Sequence, residues 1–266
     1  MFRASPFKLR MFENCPRQYK FSYIDHLDKE YKKPKPYLTM GAHVHNALKD
    51  FYEQLEPNKR TYDELEKILR RRWRENREGF ASKEDEAKWG VKALNTLRLY
   101  VHRTDVTKTP VMLEDYYDTD IDDQLKIIGR IDRADELEDG TLHVIDYKTG
   151  KYNEDDISDL QLILYALIVS AGQKKPVTKA SYLYLQTMQW HTIEVGQEEA
   201  DEAVQLVKEQ VEKIKAEKEF EPKLNQYCRN CDFITICPAK EQVEVMISEN
   251  EAAAAHQKDE EDLINE

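Results

Sequence analysis

Asp132, Asp146 and Lys148 stand in two short segments, Gly129-Arg-Ile-Asp132-Arg and Val144-Ile-Asp146-Tyr-Lys148-Thr-Gly. Two carboxylates and an ammonium are the groups that phosphodiester hydrolysis needs. Carboxylates hold Mg²⁺ or Mn²⁺ with several waters retained, and the metal neutralises phosphate charge and lowers the pKa of a bound water. A lysine beside them orients that water or stabilises the developing negative charge. Along a strand Asp146 and Lys148 share a face, and pairing of the two segments brings Asp132 beside Asp146. An Asp-x-Lys pair on a strand is also a common surface salt bridge. Here, however, Asp146 follows the apolar Val144-Ile145 and precedes Thr149-Gly150, so it sits where a buried strand emerges. An unanswered acid there is expensive.

Two further groups fit that chemistry. His45 offers a nitrogen ligand better suited to Mn²⁺ or another transition metal than to Mg²⁺, and Gly41 one turn earlier leaves room for close approach. A lone helical histidine is more often a packed or solvent-facing residue, so it is the company of the aspartates that promotes His45. Gln161 and Tyr165 are an i, i+4 pair on one helix face. They read either as the polar edge of an amphipathic helix or as a donor pair that steadies Lys148 or touches a phosphate backbone.

Four cysteines form a separate constellation: Cys15, then Cys228, Cys231 and Cys237 in a C-x₂-C-x₅-C run. Two disulfides would suit a short secreted chain, which this is not, so metal ligation is the better reading. Spacing alone serves zinc and an iron–sulfur cluster equally. Ligation would close a loop of more than two hundred residues, a large entropic gain that makes the site a clasp more than a redox centre.

The elements that must position these groups are legible from periodicity and punctuation. Ser5-Pro6 opens a helix towards Tyr19, which Pro16 kinks or breaks so that the Cys15 thiol faces outward. A helix over Gly41 to Gln54 carries His45 in its first turns, with Val44, Leu48, Phe51 and Tyr52 on its apolar face. Thr61-x-x-Glu64 is a capping box ahead of a second helix, and Ser82 precedes a third. Arg70, Arg71, Arg72, Arg74 and Arg77 make the second helix basic, which fits a solvated face or a DNA-backbone contact. From Pro110 to Thr149 the texture is that of three antiparallel strands. A helix over about Asp156 to Ala171, two strands, and a charged helix from Glu198 to about Lys218 complete a mixed sheet in an α/β domain.

Composition bounds the rest. The 266 residues, 40% of them apolar, permit a sizeable core. We expect one domain over 1–247, with a helical insertion at about 55–108, a core at about 110–220 and a cysteine loop at about 221–240. No apolar run spans a membrane and no export signal opens the chain, so a cytoplasmic protein without membrane contact is expected. The net charge is −12, and half of it lies from Ser248 onward, where seven carboxylates face only Lys258. Residues 248–266 read as an acidic, frayed or disordered tail, and overall acidity does not exclude a polyanionic substrate met by a local basic groove. A Gly-x₄-Gly-Lys-Ser/Thr loop is absent, which argues against an ATP-driven helicase.

Taken in order, Gly41-Ala-His-Val-His45, Gly129-Arg-Ile-Asp132-Arg, Val144-Ile-Asp146-Tyr-Lys148-Thr-Gly and Gln161-Leu-Ile-Leu-Tyr165 resemble the motifs of the RecB-like branch of the PD-(D/E)XK nucleases. Cys15-Pro-Arg-Gln-Tyr-Lys-Phe and the closing Cys228, Cys231, Cys237-Pro set resemble its iron–sulfur members, the AddB nuclease domain and the CRISPR-associated RecB-like exonucleases. The likeness runs from Ser5 to Pro238. It implies a restriction-endonuclease-like core and a metal held by His45, Asp132, Asp146 and the Tyr147 carbonyl. It also implies Lys148 as the catalytic lysine, Gln161 and Tyr165 as supports, and a [4Fe–4S] cluster on the four cysteines. The implied substrate is DNA, as single strands or ends, cut by an exonuclease in repair, recombination or defence, with a helicase or CRISPR adaptation complex as partner. Asp at position 146 is the usual helicase-associated choice, where many CRISPR-associated members carry Glu. The competing readings are a non-catalytic DNA-binding or recruitment module and a zinc-stapled structural protein.

Overall fold

The computed structural model describes residues 1–154 and 157–250. In chain order the elements are β1 (Phe2–Ala4), α1 (Pro6–Asn14), α2 (Pro16–Tyr19), α3 (Asp28–Tyr31), α4 (Pro36–Gln54), α5 (Tyr62–Glu75) and α6 (Lys83–Arg103). Then follow β2 (Met112–Asp122), β3 (Leu125–Glu136), β4 (Leu142–Lys148), α7 (Asp159–Gln173), β5 (Val177–Tyr184), β6 (Gln189–Glu194) and α8 (Gln197–Ala216). A last helix, α9, covers 240–250. The chain divides into two compact units: Met1–Pro6 with Pro34–Val211, and Phe7–Lys33 with the segment from Glu212 onward.

The first unit is a mixed sheet between helical layers, the fold class expected. The sheet runs β1-β3-β4-β5-β6, with β2 on the other edge of β3. The meander β2–β3–β4 is antiparallel, and β4 and β5 are parallel, joined across α7. Alternation explains the burial: β4 is covered on both faces, as a central strand should be. On one face Val44, Leu48 and Phe51 of α4, Leu65 and Leu69 of α5, and Leu97 of α6 pack against Ile145, Tyr147 and Leu183. On the other, Leu162, Ala166 and Val169 of α7 meet Val144, Ala180 and Tyr182. Among the described residues no helix is long and apolar enough to cross a membrane.

Local chemistry sets the helix ends. The Thr61 hydroxyl accepts from the Glu64 N–H at 3.4 Å and the Ser82 hydroxyl from the Asp85 N–H at 3.1 Å, so both N-caps form, but the expected capping box does not close, because the Thr61 N–H donates to the Lys59 carbonyl and Glu64 turns to Lys67 at 2.7 Å. α4 starts five residues earlier than its apolar periodicity indicates, because Pro36 occupies its first turn after an extended Lys35. His45 therefore lies in mid-helix, not in the opening turns. β1 is a three-residue parallel addition to β3, too short to carry a periodic signal.

In the second unit the first helix does break at Cys15, whose φ of −159° and ψ of 105° are extended, and Pro16 restarts the chain as α2. Phe12, Tyr19 and Phe220 form an aromatic cluster, with Phe12 edge-on to Tyr19 at 5.4 Å. Of the expected acidic tail, residues 248–250 belong to α9, and the remainder lies outside the described residues, as does Asp156.

Candidate active site

β3 is shared unequally by its neighbours. β1 pairs with Leu125 to Ile127 and β4 with Arg133 to Glu136, so the stretch between them has no ladder partner on that edge. Asp132 sits at the margin of this split. Its Oδ2 accepts the Tyr147 backbone N–H at 2.7 Å, a side-chain bond in place of a ladder bond.

Register then aligns three acids. β2 pairs Leu113 with Arg133 and Asp115 with Ile131, which sets Glu114 opposite Asp132. β4 pairs Ile145 with Arg133, which sets Asp146 opposite Asp132 on the other side. Opposed residues of antiparallel strands share a face, so Glu114, Asp132 and Asp146 form one row across three strands. All three are buried, at 5%, 7% and 6% exposure. Such a row is untenable without cations.

The cations come from three directions. His45 of α4 places Nδ1 2.9 Å from Glu114 Oε1 and 3.2 Å from Asp132 Oδ1. Burial opposes the imidazolium, but the two carboxylates overcome it and hold His45 well above its usual range. Arg130 Nε meets Glu114 Oε2 at 2.9 Å. Lys148 Nζ lies 2.7 Å from Asp146 Oδ2 and 4.4 Å from the centre of the Tyr182 ring. Burial pushes the Asp146 carboxyl up against the pull of Lys148, and the Asp132 charge adds to the rise.

The α7 residues complete the frame. Gln161 Nε2 donates to Asp146 Oδ1 at 3.2 Å. Tyr165 lies beside Gln161, and burial followed by the charges of Asp146 and Asp132 raises its phenol. Gly129 makes this possible: a Cβ there would meet the Tyr165 ring and Ile168 Cδ1 at 3.0 Å. Gly41 does the same for α4, since its Cβ would meet Thr149 Oγ1 at 3.0 Å.

His45, Asp132, Asp146, Lys148, Gln161 and Tyr165 thus lie around one point of the sheet. The Tyr147 side chain points away, its hydroxyl 3.0 Å from that of Tyr100, while its N–H faces Asp132. Glu114 was not among the residues read from the sequence. It has a φ of +41°, a conformation non-glycine residues rarely adopt and one often kept at functional sites. The one available signal was an acid directly after the apolar Val111-Met-Leu.

A divalent ion fits this donor set. Ligand atoms of His45, Glu114 and Asp132 lie within 4.8 Å of one another. Asp146 Oδ2 is buried and has no aligned hydrogen-bond donor, although the Lys148 ammonium is near it. Oxygen donors with one imidazole suit Mn²⁺ and Mg²⁺.

The four cysteines lie in the second unit, all free and all half-buried. They line one pocket together with Phe21, Tyr227 and Phe233. Burial pushes the Cys231 thiol up to about 11 and raises Cys228 as well, while the Asn225 N–H donates to Cys228 Sγ at 3.4 Å.

A sequence profile of the PD-(D/E)XK nuclease superfamily matches residues 3–238. The chain belongs to that superfamily. Over 94 residues it is 36% identical to an ATP-dependent helicase/deoxyribonuclease component found in three Streptococcus agalactiae strains, serotypes Ia, V and III. That match takes in 32% of this chain and only 9% of the relatives' length. A solved structure from Eubacterium rectale, provisionally described as an exonuclease, aligns with 85% of this chain and 86% of its own at 16% identity and a TM-score of 0.53. It supports the fold.

Proposed function

We propose that this chain is a divalent-metal-dependent deoxyribonuclease that digests DNA from its ends. The observation that carries the reading is the row of Glu114, Asp132 and Asp146 met by His45 on one side and Lys148 on the other. The name of the streptococcal relatives supports DNA as the substrate and a helicase as the partner.

Each residue then has a task. His45, Glu114, Asp132 and Asp146, with the Tyr147 carbonyl, would hold the ion, which when bound supplies charge neutralisation at the phosphate and activation of water. The Tyr147 N–H fixes Asp132 through Oδ2 and leaves Oδ1 turned to the ion site. Gln161 fixes Asp146 in the same way. Lys148, held over Tyr182, keeps its ammonium beside the reacting phosphate and stabilises the charge that develops on its oxygens.

The cysteine pocket is read as the seat of a structural [4Fe–4S] cluster. Four sulfurs bound to zinc at about 2.3 Å stand about 3.8 Å apart. Among the described residues the one set of three potential ligands within 4.8 Å is that of His45, so no three thiols come so close. What supports a cluster is that all four thiols line one pocket, in the order of the superfamily's iron–sulfur members. Iron with acid-labile sulfide in anaerobically purified protein supports this; one zinc and no iron sinks it.

The deciding assay incubates end-labelled and end-blocked DNA, single- and double-stranded, with Mg²⁺ or Mn²⁺. Wild-type protein should shorten free-ended strands, and Asp146→Asn and Lys148→Met should be slower by at least about a thousandfold. Equal rates for wild type and both variants would leave a recruitment module as the better account.

A further inference from the structure

The helices α5 and α6 of the first unit carry a feature that the catalytic cluster does not use. One cleft lies between them, with Leu69, Trp73 and Leu94 among its apolar lining and Arg70, Arg74 and Lys83 among its basic residues. A second cleft is lined by Lys88, Lys92 and Asn95 of α6 and by Gln186. Val91, 57% exposed, lines both, so the two meet on α6. The Gln186 amide donates to the carbonyl of Thr149, the residue after the catalytic lysine. The band therefore starts beside the loop that follows Lys148 and crosses the helical insertion.

Its chemistry is distinctive in a chain of net charge −12. Arg74 and Lys88 are exposed and engage no carboxylate among the described residues. Trp73 borders the cleft beside these cations, its half-buried ring stacked on Phe80 at 5.6 Å and packed 4.9 Å from the His43 ring, so it offers a rigid aromatic rim. Aromatic surface bordered by cations is how single strands are held without sequence preference, bases on the rings and phosphates on the cations. We propose that this band is the track for the single strand running away from the scissile phosphate, so that the enzyme grips several nucleotides across α5 and α6. The inference rests on the nuclease reading and adds the form of the substrate and where it lies. An acidic peptide is the rival occupant, but continuity with the Lys148 loop favours the strand.

The test is fluorescence anisotropy of labelled oligothymidylates of about four and about twenty nucleotides, titrated over a salt series. Asp146→Asn prevents digestion throughout. Adding Arg74→Glu and Lys88→Glu should weaken the long strand about tenfold relative to the short one and flatten its log–log salt slope by about 1.4, or about 0.7 for each lost phosphate contact. Each of the two substitutions alone should flatten the slope by about 0.7, whereas Lys175→Glu, a single charge reversal elsewhere on the unit, should leave affinity and slope unchanged, and circular dichroism should show all variants folded. The inference is overturned if the long strand keeps its affinity and slope, if Lys175→Glu has the same effect as either single variant, or if oligoglutamate of equal charge displaces the strand as well as oligothymidylate does. Digestion by chains with Asp146 intact separates the two readings. DNA cut without these effects removes the track alone, and these effects without any cutting remove the nuclease alone.

Discussion

Glu114→Gln asks most of the geometry, because it keeps the shape of the side chain and removes only its charge. The carboxylate is 2% exposed and serves His45 at 2.9 Å and Arg130 at 2.9 Å. Removing one partner from a fully buried ion pair costs about 3–5 kcal/mol. Here Arg130 is 42% exposed and His45 22% exposed, so both regain water and the loss should shrink to about 1–2 kcal/mol. That corresponds to a fall of roughly 2–8 °C in melting temperature. If Glu114 also belongs to the ion site, the Mn²⁺ concentration for half-maximal digestion should rise about 10–100-fold, the scale on which even outer partners of a metal site act. The assay is a Mn²⁺ titration of the digestion rate beside a melting curve in chelator. A melting temperature that falls while the Mn²⁺ requirement stays within about twofold would make Glu114 a partner of His45 and Arg130 only, and the three-acid row would then not be the ligand set.

Two other outcomes follow from the same coordinates. Tyr182→Leu removes the ring under Lys148, and since a cation on an aromatic face is worth about 0.5–2 kcal/mol, digestion should slow about 2–30-fold. Tyr182→Phe, which keeps the ring and removes the hydroxyl bonded to the Ser158 carbonyl at 2.8 Å, should stay within about twofold in rate; an equal loss in both variants would show that the hydroxyl, not the ring, matters. Burial raises the phenols of Tyr100, Tyr147 and Tyr165, so the fold holds them neutral. Their contribution to stability is complete below the free phenol value of about 10 and is lost as pH rises from there towards their folded values. Absorbance near 295 nm should therefore show some of the fifteen tyrosines ionising only together with unfolding. Titration of all of them before the circular dichroism changes would refute the burial argument.

Much of this arrangement was legible because its signals are local. The caps at Thr61 and Ser82, the break at Cys15-Pro16 and the three-strand texture each depend on a few neighbouring residues. The pairing of Asp132 with Asp146 could be read because strand period and a tight hairpin leave little choice of register. What escaped depends on distant parts of the chain. β1 exists only because β3 leaves an edge open to it. Glu114 gains its place from a positive φ that no side chain announces, and from the fact that β2 pairs on the far side of β3.

The second unit is built from Phe7–Lys33 and from the segment after Val211, so its halves are made at different times. At about 5–20 residues per second, Cys15 leaves the ribosome about ten to forty seconds before Cys228 is synthesised. During that interval the continuous stretch from Pro34 to Val211 has time to fold, while the earliest thiol waits without its partners. If the four cysteines hold the group proposed above, it would meet a chain whose sheet has had time to form, and a cell short of it would accumulate molecules with that sheet complete and the cysteine pocket unfilled.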